Sequence, residues 1–197
     1  VPTIISHLLH GTQDPSEVVR ARIRFGRSAS SALAVETQTA FEDRFNVPII
    51  ETMGLTETAA QILSNPLPPG ARKIGSPGIP FGNEVRILGP DLSVVAAGTE
   101  GEIAIRGPNV MFEYLKNPDA TQGTFAGDWL RTGDLGKMDA DGYVYVTGRL
   151  KELIIKGGEN VAPREIDEVL YSHPDIIEAA AFARPCSSEN WSSNAFA

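Results

Sequence analysis

The chain has 197 residues, of which 42% are hydrophobic and 21% are charged, a composition typical of a globular protein with a substantial core. Its net charge of −8, with acidic and basic residues interspersed, argues against a nucleic-acid partner, because nucleic-acid binding requires a basic surface. The single cysteine, Cys186, excludes an internal disulfide, the three scattered histidines lack zinc-site spacing, and no apolar run is long enough for a transmembrane segment.

The first residues, VPTIISHLLHG, lack both an initiator methionine and the basic segment that opens a secretory signal. We therefore expect a piece of a longer protein that is cytoplasmic. One cysteine among 197 residues agrees with a reducing compartment.

The first third of the chain predicts an α/β layer. A helix is predicted to begin with Asp14 as its cap, and a strand at 22–26 follows it. A second helix is predicted by the periodicity of its side chains. Its apolar face would hold Leu33, Ala40, Phe41 and Phe45, and its polar face Glu36, Gln38, Glu42 and Asp43. The apolar segment VPIIE at 47–51 then predicts a buried parallel strand, and strand, helix and strand in this order predict a crossover connection.

The middle of the chain predicts a long loop and an antiparallel sheet. Residues 64–82 are rich in proline and glycine, which excludes a regular element. Alternating apolar residues then predict strands at 84–88, 101–107 and 142–148. The pentapeptide TGDLG at 132–136 combines glycine and aspartate, which is typical of a turn leading into a hairpin. A short strand pair follows, and then a helix that begins near Pro163, with Ile166, Val169 and Leu170 on its apolar stripe.

Three segments resemble motifs of the adenylate-forming (AMP-binding) acyl-CoA synthetase family and occur in the order expected of it. They are TMGLTE at 52–57, WLRTGDLG at 129–136 and GRLKELIIKGGENVAPREIDEVL at 148–170. The resemblance extends from Val1 to about Phe182, and the segments SNPLPP and GGENVAP resemble the branch that acts on small carboxylates such as oxalate, near the coumarate-CoA ligases.

The resemblance implies an α/β fold and a domain plan. Residues 1–148 would be the C-terminal part of the large AMP-binding domain, with an α/β layer and a small antiparallel β subdomain. Residues 149–185 would begin the small α+β C-terminal domain, and 186–197 would be a divergent tail.

The resemblance also implies a reaction with ATP, Mg²⁺, CoA and a small-molecule carboxylate. Asp134 would bind both ribose hydroxyls, and Arg149 would approach the same ribose. Thr56 would contact the α-phosphate, and Glu57 would be the magnesium ligand. The alternatives from the residues alone are a turn aspartate, a solvated arginine, and a threonine and glutamate that stabilise a helix start.

Further site residues follow from the same resemblance. Met53, with Gly54 beside it, would contact the adenine, with ordinary core packing of Met53 as the alternative. Thr52 would narrow the acyl pocket. Lys151 would be the hinge at which the small domain rotates between two half-reactions, and Asn160 would contact the adenylate. Gly157 and Gly158 would approach the pantetheine of CoA, although a hairpin turn requires the same glycines.

Two departures from the family pattern lead us to expect that the isolated chain is inactive. The family's phosphate-binding loop would lie upstream of Val1, and no lysine follows Lys156 to supply the family's C-terminal lysine. Two rivals stay open: an adenylation domain that loads a carrier protein, and a non-catalytic nucleotide-binding remnant. The sequence does not define the oligomeric state, and a full-length eukaryotic relative could be peroxisomal.

Overall fold

In the computed structural model the described residues are 2–59, 61–156, 159–173, 175–176 and 179–183. The chain begins with helices α1 (Pro2–His10) and α2 (Glu17–Arg22), strand β1 (Gly26–Ser28), helix α3 (Val35–Phe45) and strand β2 (Ile49–Gly54). β1 and β2 are parallel and α3 connects them, which confirms the predicted crossover.

Two boundaries in this layer differ from the sequence prediction. α2 is capped by the Ser16 hydroxyl, whereas the predicted cap, Asp14, pairs with Arg44 on α3 at 2.9 Å. The strand predicted at 22–26 is also wrong. The observed strand β1 begins only at Gly26, where the backbone pairs with β2. The tertiary partner, and not local propensity, sets both boundaries.

α3 buries Phe41 and Phe45 as predicted, with their ring centroids 4.6 Å apart. The prediction that Gln38 lies on the exposed polar face of this helix is wrong, because the residue is only 1% exposed. Its amide donates to the Ile49 carbonyl at 3.2 Å, so β2 supplies the partner that a buried amide needs. Ala40 is exposed, and Leu33 is buried just before the helix begins.

Two further strands complete a four-stranded sheet with the order β1-β2-β3-β4. β3 (Gln61–Ser64) runs antiparallel to β2, and β4 (Ile79–Pro80) runs antiparallel to β3. Residues 65–78 between them contain no helix or strand, as the proline and glycine content predicted. The Asn65 amide fixes this loop by donating to the carbonyls of Lys73 and Ser76.

The predicted antiparallel subdomain is confirmed. It contains β5 (Glu84–Leu88), β6 (Gly101–Arg106), helix α4 (Pro118–Thr124), β7 (Phe125–Ala126), β8 (Trp129–Met138) and β9 (Val144–Arg149). The sheet order is β5-β6-β8-β7, and β9 also pairs with β8. The segment TGDLG therefore lies inside a ten-residue strand and is not a turn. The turn interpretation was wrong because β6 and β9 both pair with this segment, and their ladder hydrogen bonds outweigh the turn preference of its residues.

A buried cluster joins the two sheets. It consists of Ile62, Leu63, Ile87, Ile103, Ile105 and Val144. The loop before β4 adds a second connection, since Val144 N donates to the Gly78 carbonyl at 3.0 Å. The strands that carry the candidate site residues therefore share one core.

The C-terminal part begins with a strand pair and a helix, as predicted. β10 (Ile154–Lys156) and β11 (Glu159–Val161) are antiparallel, and α5 (Pro163–Tyr171) follows them. Val169, predicted on the apolar stripe of α5, is 71% exposed. The domain boundary between residues 148 and 149 stays a prediction.

Candidate active site

Asp134 and Arg149 form an ion pair across the two strands that carry them. They are directly opposite each other in the β8–β9 register, and Arg149 Nε donates to Asp134 Oδ1 at 2.6 Å. The Asp134 side chain is 8% exposed and that of Arg149 is 52% exposed, so the pair runs from the interior to the surface. Within the described part of the chain, no donor engages Asp134 Oδ2. The pair therefore offers a ligand one free carboxylate oxygen beside a guanidinium.

The local environment sets the titration of this pair. Burial raises the pKa of the Asp134 carboxyl above its ordinary value, and the hydrogen bond and charge of Arg149 oppose that rise. The same hydrogen bond raises the pKa of Arg149. Arg149 therefore favours the ionised carboxylate, the form that accepts hydrogen bonds from hydroxyl groups.

The glycines around Asp134 shape the strand. Gly133 has a φ of +75°, a conformation that favours glycine, and its N–H donates to a buried oxygen of Glu102 at 3.0 Å. At Gly136 an added Cβ would lie 2.5 Å from the Tyr145 carbonyl oxygen, so only glycine allows the two strands to approach this closely. The same glycines that resembled a turn in the sequence thus position Asp134 within a strand.

Thr56 and Glu57 lie on a 3₁₀-helix, Thr56–Thr58, which follows β2 directly. The Glu57 carboxylate accepts a hydrogen bond from the Tyr114 hydroxyl at 2.8 Å, and the Glu57 carbonyl accepts one from Met111 N at 2.7 Å. The hydrogen bond to Glu57 raises the pKa of Tyr114. The loop after β6 therefore holds Glu57 in place. Sequence reasoning missed Tyr114, since no local pattern indicates a contact between residues 57 positions apart.

An open cavity of ≈ 460 Å³ adjoins the 3₁₀-helix on the side of β1 and β2. Its described lining is Arg27, Ala29, Ser30, Thr52, Gly54, Leu55, Thr56, Ala59 and Gln61. Thr52, Gly54 and Thr56, all singled out from the sequence, thus meet at one cavity. Arg27 was missed, and the only signal for it was a basic residue between small ones in GRSAS.

Met53 packs partly against the buried cluster that joins the sheets. Side chains alternate along a strand, so Met53 and Thr52 point to opposite faces of the sheet. Core packing, the alternative for this residue, is therefore part of its role. Its contact with adenine stays a prediction.

The remaining predicted residues lie in the C-terminal part. Lys151 is exposed in the turn that follows β9, where Glu152 N donates to the Arg149 carbonyl at 3.0 Å. Asn160 lies on β11 and lines a second cavity of ≈ 320 Å³, whose lining also includes Glu102 and Arg131 but not Asp134. Gly157 and Gly158, predicted at the pantetheine, lie outside the described residues.

Two other features are absent from the described residues. No group of three or more histidine, cysteine, aspartate or glutamate side chains could hold a metal ion there. None of the helices described is long and apolar enough to cross a membrane.

The fold is that of the adenylate-forming enzymes. The sequence profile of the family described as "AMP-binding enzyme" matches residues 1–115, more than half of the chain. The chain belongs to this family, and the resemblance inferred from its motifs is confirmed.

Among its relatives, the sulfoacetate–CoA ligase of Cupriavidus necator is 57% identical over 94% of this chain. The oxalate–CoA ligase of Saccharomyces cerevisiae is 44% identical, also over 94%. The structure of ATP-bound MatB from Rhodopseudomonas palustris matches 92% of the chain with a TM-score of 0.85 and 33% identity. The chain spans about a third of each: 36%, 34% and 36% of their lengths.

Proposed function

We propose that the chain forms part of the active site of an ATP-dependent, AMP-forming acyl-CoA ligase. In this reaction a carboxylate attacks the α-phosphate of ATP to give an acyl-adenylate and pyrophosphate, and the thiol of CoA then displaces AMP to form a thioester. The observation that carries the proposal is the Asp134–Arg149 pair, in which a 2.6 Å contact joins a largely buried carboxylate, with one oxygen unengaged among the described residues, to a half-exposed guanidinium. The names of the relatives support the reaction class.

The nucleotide would be held by residues from both sheets. Asp134 would accept hydrogen bonds from the ribose hydroxyls through its free oxygen, and Arg149 would lie beside the same sugar. The Thr56 hydroxyl, at the cavity lining, would donate to the α-phosphate. Met53 and Gly54, at the end of β2, would contact the adenine.

The position and chemistry of Glu57 suit the role of a magnesium ligand. Mg²⁺ in nucleotide sites is bound by one or two carboxylates together with phosphate oxygens and water. Glu57 supplies one half-buried carboxylate, and Tyr114 orients it while occupying only its Oε1 atom. The ion would neutralise phosphate charge, and the contribution of the chain is to hold the carboxylate in a fixed position.

The second half-reaction would use the C-terminal part. Lys151, exposed in the turn after β9, is proposed as the hinge, and Gly157 and Gly158 as the approach to CoA. Asn160 would reach the adenylate in one of the two arrangements. Its location in a cavity that Asp134 does not line agrees with a residue that must move between steps.

The substrate is proposed to be a small carboxylate. Thr52 supports this because the residue is 5% exposed and lines the cavity, where its side chain takes up space at the acyl end. The named substrates of the relatives, sulfoacetate and oxalate, are both short acids.

Nucleotide binding tests the proposal directly. We expect isothermal titration calorimetry with ATP and Mg²⁺ to show binding that Asp134→Asn weakens by about 10- to 100-fold, the usual range for hydrogen bonds to a charged group. Asp128→Asn is the matched control, since Asp128 is exposed in the turn before β8, and it should leave the affinity unchanged. Equal affinities for the wild-type chain and Asp134→Asn would contradict the proposal.

The two rivals predict other results. A carrier-loading adenylation domain would bind ATP in the same way but would not respond to CoA. A non-catalytic remnant would bind ATP and form no product with any acceptor. Because we expect the isolated chain to form no product, thioester formation with CoA and a panel of acids separates both rivals from a ligase when it is assayed in a longer protein that contains this chain.

A further inference from the structure

Arg27 is held in one orientation at the mouth of the cavity. Its Nε donates to the Thr52 hydroxyl at 3.1 Å, and its Nη2 donates to the Gln61 side-chain carbonyl at 2.7 Å. Thr52 in turn donates to the Ser28 carbonyl at 3.2 Å, so its hydroxyl group is fixed as an acceptor. The guanidinium therefore has a defined position before any ligand arrives, which reduces the entropy lost on binding.

The positive charge of Arg27 is not matched by a carboxylate. Both acceptors, Thr52 and Gln61, are neutral, and no ion pair involves Arg27 among the residues with described positions. A guanidinium carries five N–H donors, and these two hydrogen bonds use two of them. The others remain for an anionic group of a ligand, which a planar guanidinium can bind through two oxygens at once.

Size alone does not explain selection for a short acid at this cavity. Its volume of ≈ 460 Å³ falls in the range that takes drug-sized ligands, so a two- or three-carbon acid would not fill it. A fixed cation in the same lining as Thr56 supplies a different criterion, the charge at the far end of the acid.

We propose that Arg27 is a specificity-determining residue that binds the second anionic group, a sulfonate or a carboxylate, of a short dianionic acid whose other carboxylate is activated. This inference rests on the function proposed above. In it, Thr52 and Gln61 are positioning residues for Arg27, and Thr56 lies at the opposite, reacting end of the acid.

The test uses stable adenylate analogues, so that it does not depend on turnover. Acyl-sulfamoyl adenosines would carry a malonyl group or its apolar counterpart, 3-methylbutanoyl, and a sulfoacetyl group or 3,3-dimethylbutanoyl. Calorimetry with the wild-type chain should show each analogue whose acyl group ends in an anion binding at least about tenfold more tightly than its apolar counterpart. Comparison of the malonyl and sulfoacetyl analogues shows whether Arg27 prefers a carboxylate or a sulfonate.

Arg27→Gln should reduce both ratios to near one and leave the affinity for the apolar analogues and for ATP within about twofold. Arg27→Lys should retain part of the preference, since it keeps the charge but not the planar pair of donors. Arg24→Gln is the control, because Arg24 is an exposed arginine on the same segment and outside the cavity lining.

The outcomes separate the two proposals. Wild-type binding of all four analogues with ratios near one would overturn the role of Arg27 and leave the proposed function intact. An equal loss of every analogue in Arg27→Gln would also overturn it, since that result indicates a structural role. Failure of every analogue and of ATP to bind the wild-type chain would reject the proposed function together with the inference.

A second measurement needs no variant. Arg27 is exposed, so salt should screen its attraction for an anionic group. We expect the preference for the dianionic analogues to fall by at least about threefold between 0.05 and 0.5 M salt. A preference that did not change with salt would count against an ionic contact.

Discussion

Glu51 places a carboxylate in the interior of the four-stranded sheet. It is 4% exposed on β2, and its Oε2 atom has no hydrogen-bond partner among the residues described. Burial raises the pKa of this carboxyl from its ordinary 4.5 to about 6, although the charge of Arg164 and a hydrogen bond from the Leu33 backbone oppose the rise. The ionised form is thus less favourable in the folded chain than in the unfolded chain.

Glu51→Gln should therefore stabilise the chain at neutral pH. A raised pKa means that the folded chain binds a proton more tightly, so the wild type loses stability as the pH rises from 4.5 through about 6. Above pH 6 the free energy of unfolding of the wild type is therefore lower by about 2 kcal/mol. Urea unfolding at pH 7 should show a gain of up to this size for Glu51→Gln, and a much smaller gain at pH 4.5. The same gain at both pH values would contradict this titration.

Tyr114→Phe tests the contact that holds Glu57. Loss of the 2.8 Å hydrogen bond should lower the free energy of unfolding by about 1 to 2 kcal/mol and weaken ATP binding in the presence of Mg²⁺. The control is Tyr171→Phe, as the Tyr171 hydroxyl makes no hydrogen bond within the described structure. An identical response of both variants to urea and to ATP would show that the contact is unimportant.

Residue identities alone indicated part of the candidate site. Asp134, Thr56 and Glu57 stand in recognisable motifs, so the sequence indicated them. Arg27 and Tyr114 do not, because each acts through a partner that is distant in sequence. Arg27 meets Thr52 only when β1 and β2 pair, and Tyr114 meets Glu57 only when the loop after β6 folds back. Such contacts are properties of the tertiary structure.

At the scale of elements, β8 shows where local patterns fail. Its TGDLG segment has turn residues, yet it forms the centre of a strand between β6 and β9. The crossover of β1, α3 and β2 was predictable because the spacing of apolar residues in these segments indicates which side chains are buried. The register of β8 was not, since it depends on the positive φ at Gly133 and on the close approach at Gly136.

Gly133→Ala tests this view of β8. A side chain at a φ of +75° should cost about 1 to 2 kcal/mol in stability and displace Asp134, so ATP affinity should fall as well. Gly123→Ala is the matched control, because Gly123 lies in α4 with open space around it and alanine favours a helix by about 0.5 to 1 kcal/mol. Thermal unfolding and calorimetry measure both effects. If the Gly133→Ala chain were as stable as the wild type, the positive φ at this position would not be what requires glycine.

At the scale of the whole molecule, the loop between β3 and β4 links the two sheets. Lys73 in this loop pairs with Asp139 and Asp141 beside β9, and the Ser76 hydroxyl donates to the Val144 carbonyl. The sequence predicted an irregular loop there but not this role. Loops of this composition carry no periodicity from which their partners could be read.

We expect the 197-residue chain to bind ATP but to release no AMP with carboxylate and CoA. Stabilising a triphosphate in the transition state requires several preorganised cations and donors, and the one cation in the described cavity lining, Arg27, is the residue proposed above to bind the far end of the acid. Coupled AMP-release assays should give the same background for the wild type and for Glu57→Ala. Turnover that Glu57→Ala abolished would show that the chain is a complete catalyst.

The central claim is that Asp134 binds the ribose of ATP, and a cycle of ligand and protein changes tests it most directly. The affinities for ATP and for 2′,3′-dideoxy-ATP would be measured with the wild-type chain and with Asp134→Asn. We predict that the wild type prefers ATP by about 10- to 100-fold, and that the preference falls to near one in Asp134→Asn. A preference of equal size in both chains would contradict the claim, because the ribose hydroxyls would then be bound by other groups.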